Sequence, residues 1–358
     1  ELYDEALGQL DEFIEVRLND PHPERSSALA RGAETILEER QKRWPDSTPP
    51  IAPNRLEFLI GMLEMNAGHS AEAQQRFERS IAKDEDPGAL LQLGLLLERT
   101  GELDLAESRY RRALELTPGT SLPDELRRSE ILEHMGDVAR ARGDAAEMKA
   151  RYRDALAAWS SARDQVEGPT GALVEMRRGV LLDQLGRHEE AVEAFEAAMT
   201  HAPQWRDVYA TILSHLVSTA PDYELASSVW RRSQLQLTLP PEWKVYFTLW
   251  IQFIAARAGE APSAEHTELL RRLGASPNWW GKLASFGAGD LNYDDMMSVA
   301  SSLGEETEVL YYEATRLYIA GEREAAERQF RRVLETNMVS FYEFEMARKL
   351  LINQAKSP

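Results

Sequence analysis

The chain has 358 residues, 43% of them hydrophobic, and Ala, Leu, Glu and Arg outnumber Val, Ile and Thr, which favours an all-α protein. It carries 41 basic and 60 acidic residues, and the resulting net charge of −19 repels nucleic acids and anionic lipids. We therefore expect no nucleic-acid partner, and no apolar run approaches the roughly 20 residues of a transmembrane helix.

The sequence contains no cysteine, which excludes disulfides and thiolate metal sites but does not decide between a reducing and an oxidising compartment. Its first residue is Glu1 and not methionine. We therefore expect that a signal peptide, a lipidation cysteine or a whole domain precedes it.

The N-terminal part, residues 1–53, is predicted to form a helix pair followed by a break. The two helices are expected at residues 2–18 and 27–44, where apolar residues recur at helical spacing. Prolines are frequent in residues 45–53, which predicts an irregular connection there.

From residue 54 onward, small and aromatic residues recur at a fixed interval. Four pairs of similar residues lie 33 positions apart: Gly61 and Gly94, Ala73 and Ala106, Phe77 and Tyr110, and Ser80 and Ala113. Small side chains let two helix backbones approach to about 8–10 Å, and an aromatic ring fills the gap beside them. Gly101 suits a left-handed turn between two helices, and Pro118 suits the end of the second helix. The pattern therefore predicts a series of helix pairs.

This pattern resembles the tetratricopeptide repeat. The copy from Pro87 to Thr120 matches it throughout, with Leu90, Leu93, Gly94, Leu97, Ala106, Tyr110, Ala113 and Pro118. The resemblance implies an all-α fold, a right-handed α-solenoid of tetratricopeptide-like helix pairs. An amphipathic segment at residues 341–354 is predicted to be its C-terminal capping helix.

The copies divide the chain into regions of one continuous solenoid. Residues 54–206 hold four clearer units, residues 207–306 hold degenerate, aromatic-rich helix pairs, and residues 307–358 hold the last unit and the capping helix. Extra residues separate some copies, and we expect them to form loop insertions at 119–124 and 168–171 or lengthened helix ends.

In the tetratricopeptide family, positions 2, 5, 9 and 12 of each repeat line a concave face that binds partners. The residues here that correspond to that groove include Arg55, Phe58, Met62, Met65, Leu91, Leu95, Met176 and Val180. Apolar, methionine-bearing surfaces suit an amphipathic helix or an extended peptide. The Lys and Asn clamp with which some family members bind acidic chaperone tails is missing here. The chain's own ends are a second possible occupant of this face.

Aromatic residues concentrate in residues 243–293. The favoured interpretation is a core, because Trp243, Tyr246, Phe247 and Trp250 recur at helical spacing. The alternative is a ligand site for a sugar or small molecule that uses Trp279 and Trp280.

No motif indicates an enzyme, a cofactor or a metal site. The seven histidines include no pair four residues apart, and no phosphate-binding glycine loop or Gly-x-Ser-x-Gly motif is present. His188, Glu189 and Glu190 lack the second histidine of a zinc protease motif, so they are interpreted as solvated charges. We expect no catalytic residues.

The C-terminal quarter shows a second resemblance, carried by Trp280, Leu283, Phe286, Gly289, Asp290, Leu291, Tyr311, Tyr312, Gly321, Ala326, Phe330, Thr336, Asn337, Phe341, Glu343, Ala347 and Leu350. These residues resemble the closing repeats of the NlpI-type bacterial lipoproteins. The resemblance implies a bacterial protein, with the periplasm favoured over the cytoplasm and a lipid anchor in a preceding segment.

Together these observations predict a non-catalytic scaffold or adaptor that binds a partner helix or peptide in an apolar groove. Two alternatives stay open: a glycan- or small-ligand-binding module that uses the 243–293 region, and the repeat domain of a larger bacterial enzyme or regulator. The sequence does not distinguish a monomer from a dimer.

Overall fold

The computed structural model describes residues 23–46 and 51–354. Regular secondary structure in these residues consists of α-helices and one short 3-10 turn, Arg163–Gln165. The predicted all-α class is confirmed. The helix predicted at residues 2–18 lies outside the described residues, as do residues 47–50 of the proline-rich break.

The chain divides into two compact units. Unit 1 includes the described residues up to Pro118 together with Asp137–Gly143 and Asn337–Phe341, and unit 2 includes Gly119–Gly136, Asp144–Thr336 and the described residues from Tyr342 onward. The helices of unit 1 are α1 (Pro23–Arg43), α2 (Pro53–Asn66), α3 (Ser70–Lys83), α4 (Pro87–Thr100) and α5 (Leu103–Leu116). Helix α6 (Leu122–Arg142) contributes residues to both units.

Unit 2 contains the remaining helices. They are α7 (Ala145–Ala162), α8 (Gly168–Gln184), α9 (His188–His201), α10 (Arg206–Ser218), α11 (Tyr223–Gln234), α12 (Pro241–Ala258), α13 (Ala264–Gly274), α14 (Trp279–Gly287), α15 (Tyr293–Val299), α16 (Leu303–Ile319), α17 (Arg323–Glu335) and α18 (Tyr342–Gln354).

Local sequence specifies where many of these helices begin and end. Proline lies in the first turn of α2, α4, α8 and α12, where the N–H that it lacks would have no helical partner. The side chains of Asp86, Asp222 and Ser302 accept hydrogen bonds from first-turn N–H groups of α4, α11 and α16. Gly101 ends α4 in the left-handed region, with φ of 91°, as its position in the repeat predicts.

In several pairs, among them α4–α5 and α8–α9, the ring of the second helix lies against a glycine of the first. A methyl group at position 94 would lie 2.5 Å from Cε1 of Tyr110, and one at position 179 would lie 2.5 Å from Cδ1 of Phe195. Both rings are buried, and the Tyr110 hydroxyl donates to Glu98 Oε2 at 3.0 Å. Glycine is therefore required at these positions by close packing and not by backbone conformation.

Helix α1 adds to the first pair of unit 1. Leu37 lies in one apolar cluster with Leu56 and Ile60 of α2. Arg76 of α3 donates to Glu34 of α1 at 2.8 Å, so burial and an ion pair both fix this helix.

The extra residues between copies lie mainly in longer helices. Helix α6 has 21 residues and α7 has 18, whereas α2, α3, α4 and α5 each have 14. The loop expected at residues 168–171 is not observed, because α8 begins at Gly168 with a proline in its first turn. The alternative of lengthened helix ends describes the structure better.

The aromatic residues of α12 form a core within unit 2. Phe247, Trp250 and Phe253 are all at most 1% exposed. Trp243 is half-buried, with its ring centroid 5.5 Å from those of Tyr246 and Phe247. None of the described helices, α12 included, is long and apolar enough to cross a membrane.

Replacing Gly94 with Ala is expected to lower the free energy of unfolding by about 1–3 kcal/mol, because the new methyl group collides with the buried ring of Tyr110. Gly32 is the matched control, since it lies within α1 with nothing within 4 Å of an added methyl group. Gly32→Ala should raise the same free energy by about 0.5–1 kcal/mol. Urea unfolding measures both. Equal stability of the two variants would contradict the packing explanation.

Candidate functional site

In unit 1, α2 carries four of the residues predicted to bind a partner. Arg55, Phe58, Met62 and Met65 follow one another at intervals of three or four residues, so they share one face of the helix. Arg55, Phe58 and Met62 are half-buried, whereas Met65 is 3% exposed. The guanidinium of Arg55 lies 5.5 Å from the ring centroid of Phe58. Phe58 and Met62 therefore provide the accessible apolar surface of this helix face.

Helix α4 carries two further members of the predicted set. Leu95 is half-buried, and Leu91, one turn earlier, is 4% exposed. Because Gly94 faces Tyr110, the rotation of α4 about its axis is fixed, and Leu95 keeps part of its side chain at the surface.

In unit 2, α8 carries Met176 and Val180, which are one helical turn apart. Val180 is half-buried and Met176 is 3% exposed. Met65, Leu91 and Met176 are thus buried supports, and the accessible members of the predicted set are Arg55, Phe58, Met62, Leu95 and Val180. The sequence pattern alone does not separate these two groups.

The carboxylate of Glu57 on α2 is paired with basic side chains of unit 1. Glu57 accepts from Lys83 at 2.9 Å and from Arg76 at 3.1 Å. Burial by itself would raise the pKa of Glu57, but these two hydrogen bonds outweigh it and lower the pKa below its ordinary value. Glu57 therefore stays ionised and paired.

In the last repeat of unit 2, a residue at one of the predicted groove positions contacts the C-terminal helix. Tyr311 of α16 stands at the same repeat position as Phe58, Leu91 and Met176, and it is fully buried. Its hydroxyl lies 3.5 Å from Sδ of Met346 on the C-terminal helix α18. The neighbouring Tyr312 donates to Glu343 of α18 at 2.7 Å.

Helix α18 packs across several first helices of unit 2. Besides α17, it contacts α10 and α16, and Asn353 donates to the carbonyl oxygen of Ser218 at the end of α10 at 2.7 Å. The ring of Tyr342 lies 5.9 Å from Trp243 and 5.5 Å from Trp250 of α12. The chain's own helix α18 thus covers this apolar face. The chain's own ends are among the possible occupants that the sequence indicates.

One of the two tryptophans of the alternative aromatic site is hydrogen-bonded within unit 2. Trp279 Nε1 donates to the carboxyl group of Glu308, so the polar edge of this indole already has a partner. Trp280 is half-buried. The interpretation of the α12 aromatics as core agrees with their burial, and the Trp279 and Trp280 ligand site stays a prediction.

Two buried carboxyl groups in this region were not anticipated. Glu308 accepts from the Tyr246 hydroxyl at 2.8 Å as well as from Trp279, and Glu343 accepts from Tyr312. Burial, together with the nearby charge of Glu343, raises the pKa of Glu308 to about 8. Burial also raises the pKa of Glu343. Glu308 stands at repeat position 2, one of the positions that the repeat register assigns to the groove, but the register does not indicate that its carboxyl group is buried.

His188 takes part in a chain of side chains that links four helices of unit 2. Its Nδ1 lies 3.0 Å from Asp183 and its Nε2 lies 2.9 Å from Asp222, while His215 Nε2 lies 2.7 Å from Asp183. The hydrogen bond to Asp183 raises the pKa of His188, and Asp222 adds to this. The interpretation as a solvated charge therefore misses a structural role for His188.

A family model described as a tetratricopeptide repeat matches residues 58–120 and 140–204. The chain carries tetratricopeptide repeats. The first matched segment contains Phe58, Met62, Met65, Leu91 and Leu95, and the second contains Met176 and Val180. The NlpI-type resemblance of the C-terminal quarter, outside both repeat segments, stays a prediction.

Several solved structures are similar to the chain at low sequence identity, and the first is described as a tetratricopeptide-repeat protein. The protein TTC0263 of Thermus thermophilus is 18% identical, covers 55% of this chain and 98% of its own, and has a TM-score of 0.43. PilF of Pseudomonas aeruginosa is 15% identical over 69% of this chain and 98% of its own, with a TM-score of 0.38. A Rap protein in complex with competence and sporulation factor is 16% identical over 94% and 99%, with a TM-score of 0.42. Comparison with curated protein sequences found no match.

Replacing Glu308 with Gln is expected to flatten the pH dependence of stability between about pH 5 and pH 8. The folded protein holds the Glu308 proton up to about pH 8, whereas the unfolded chain loses it near the ordinary value of 4.5. Wild-type stability therefore falls as pH rises through this window, by up to about 1.4 kcal/mol per pH unit.

The Gln variant keeps both polar contacts if its amide oxygen accepts from Trp279 and its NH₂ group donates to the Tyr246 hydroxyl. Denaturant unfolding of both proteins at several pH values measures the difference. Parallel pH profiles would show that Glu308 is ionised throughout and that its burial has no titration consequence.

Proposed function

We propose that this protein is a non-catalytic adaptor that binds an amphipathic helix of a partner protein on the accessible apolar face of its tetratricopeptide repeats. Tetratricopeptide repeats are generally protein–protein interaction modules. The partner-binding residues in unit 1 are Phe58, Met62 and Leu95, with Arg55 beside them, and Val180 is the corresponding residue in unit 2.

The observation that carries this proposal is the position of α18 in unit 2. Tyr311, which shares the repeat position of Phe58, contacts Met346 of that helix. The buried residues of α18 include Met346, Ala347 and Leu350, which lie at i, i+1 and i+4 and therefore share one face of the helix. An internal helix on these positions supports a partner helix on the equivalent positions of unit 1.

The chemistry of the accessible side chains supports the same occupant. Met62 has an unbranched, flexible side chain that adapts to different apolar surfaces, and Phe58 provides a large contact area. Met65 and Leu91 lie beneath them and hold the helices in place. A partner helix would place residues at i, i+3 or i+4, and i+7 against Phe58, Met62 and Leu95.

The two buried carboxyl groups with raised pKa values fit a structural role better than catalysis. Glu308 and Glu343 are at most 8% exposed, and each accepts from tyrosine or tryptophan inside unit 2. These hydrogen bonds connect α12, α14, α16 and α18.

Leu95→Glu is expected to weaken binding of a native partner by at least about tenfold, which corresponds to roughly 1.4 kcal/mol, because a carboxylate would be desolvated beneath the bound helix. Leu105→Glu on α5 is the matched control: Leu105 is a 46% exposed leucine in the same repeat, on the second helix. Affinity capture from the native organism with wild type and both variants identifies the partner, and isothermal titration calorimetry measures its affinity.

The proposal requires that the partner be lost with Leu95→Glu and kept with Leu105→Glu, while thermal unfolding shows both variants folded. If Leu95→Glu captures the same proteins with the same affinity as wild type, partner binding on the unit 1 face is wrong.

A further inference from the structure

A second candidate site lies in unit 2, away from the predicted partner-binding residues and from Trp279 and Trp280. It is a cleft of ≈ 290 Å³ formed by the C-terminal half of α12, the loop after it, the first turn of α13, the end of α14 and the last turn of α16. Ligand sites in proteins commonly have volumes of about 300–1,000 Å³, so this cleft suits a ligand at the small end of the range.

The cleft contains an imidazole with unused hydrogen-bonding capacity. His266 lines it and is 2% exposed, and its Nδ1 is buried with no hydrogen-bond partner among the described residues. The ring packs edge-on against the buried Trp230, with 4.5 Å between the centroids. A buried polar atom without a partner destabilises a protein, and most buried polar atoms in folded proteins are hydrogen-bonded.

The protonation state of His266 defines what it offers to a ligand. Burial lowers the pKa of His266 below its ordinary value of 6.5, so the ring is neutral at pH 7. A neutral imidazole has one N–H donor and one acceptor nitrogen. Gln252 lines the same cleft, and its side-chain amide forms no hydrogen bond within residues 23–46 and 51–354, which adds a second neutral donor and acceptor.

The cleft also presents one charge of each sign. Arg316 of α16 is positioned by a 3.2 Å ion pair with Glu313 and by the ring of Phe286, 4.5 Å from its guanidinium carbon. Glu260 follows the end of α12, and its carboxylate has no ion-pair partner in the described part of the chain. The two charged residues of the lining therefore have opposite signs, and Arg316 also pairs with Glu313, which does not line the cleft.

The rest of the lining is apolar and small. Ala255, Ala256, Ile319 and Ala320 form the walls. Gly287 packs closely against Leu249, so an added methyl group would collide with Cδ2 of Leu249. An apolar ligand body of modest size fits against these walls.

We propose that this cleft binds a small zwitterion of the amino-acid or dipeptide class. Its carboxylate pairs with Arg316, its ammonium group pairs with Glu260, and its uncharged polar groups bond to His266 and Gln252. A ligand with only negative charge would meet the carboxylate of Glu260 and the negative field of the whole chain, whereas a zwitterion matches both rim charges.

The test uses the full chain and a panel of ligands that contains each proteinogenic amino acid and the matching glycyl dipeptides. Each ligand is added at up to about 10 mM, a concentration at which even weak binding is detected. Thermal unfolding identifies a panel member that binds, and isothermal titration calorimetry measures its affinity. At least one panel member should bind. Its affinity should fall by about tenfold or more in Arg316→Gln and in Glu260→Gln.

Two further comparisons assign the contacts. Acetylation of the ligand amino group should weaken binding to wild type but not to Glu260→Gln, because both changes remove the same ion pair. His266→Phe keeps the ring against Trp230 and removes the unpartnered nitrogen, so it should weaken binding while the protein stays at least as stable as wild type.

Arg331→Gln is the matched control, since Arg331 is an exposed arginine of α17 with an ion pair to Glu327 and does not line the cleft. It should bind the ligand as wild type does, and so should Leu95→Glu, which separates this site from the partner-binding face. If no panel member binds, or if Arg316→Gln and His266→Phe bind as tightly as wild type, the proposal is wrong. Should His266→Phe fail to fold, the two rim variants decide the question alone.

Discussion

In the clearer repeats, the contact between a glycine on one helix and an aromatic ring on the next holds the helix pair together. Tyr110 against Gly94 and Phe195 against Gly179 leave no room for a methyl group, so the two backbones approach as closely as close-packed helices can. The contact joins residues only 16 positions apart in the chain. It also fixes the rotation of each first helix, and that rotation determines which of its apolar side chains reach the surface. In unit 1, the proposed partner-binding residues Phe58, Met62 and Leu95 are accessible because this packing contact fixes the rotation of the helices that carry them.

This constraint is visible in the sequence because it is local. Glycine, alanine and aromatic positions recur with the repeat, and turn glycines such as Gly101 follow from backbone geometry alone. Long helices were harder to predict. An extra turn in α6 or α7 and an inserted loop give the same spacing between glycines, and Gly168 followed by proline can open a helix or interrupt one.

The repeat pattern does not predict which groove side chains are accessible or which polar groups are buried. Met65 and Met62 have the same chemistry and belong to one helix face, yet neighbouring elements bury only Met65. Glu308 lies in a helix rich in charged residues, and nothing local distinguishes it from a solvated glutamate. Its burial results from contacts with α12 and α14 that are far away in the chain. The larger rings of the degenerate repeats bring hydroxyl and indole N–H groups into the core, and these carboxyl groups accept their hydrogen bonds.

Helix α18 limits how this part of the chain can evolve. Repeat arrays commonly gain or lose whole units, because each unit contacts only its neighbours. Here Asn353 reaches back to Ser218 on α10, Tyr342 packs against α12, and Glu343 bonds to Tyr312 on α16. A tandem duplication between α10 and α18 would separate these partners and leave buried polar groups without hydrogen bonds. The number of helix pairs in unit 2 is therefore fixed by its last helix.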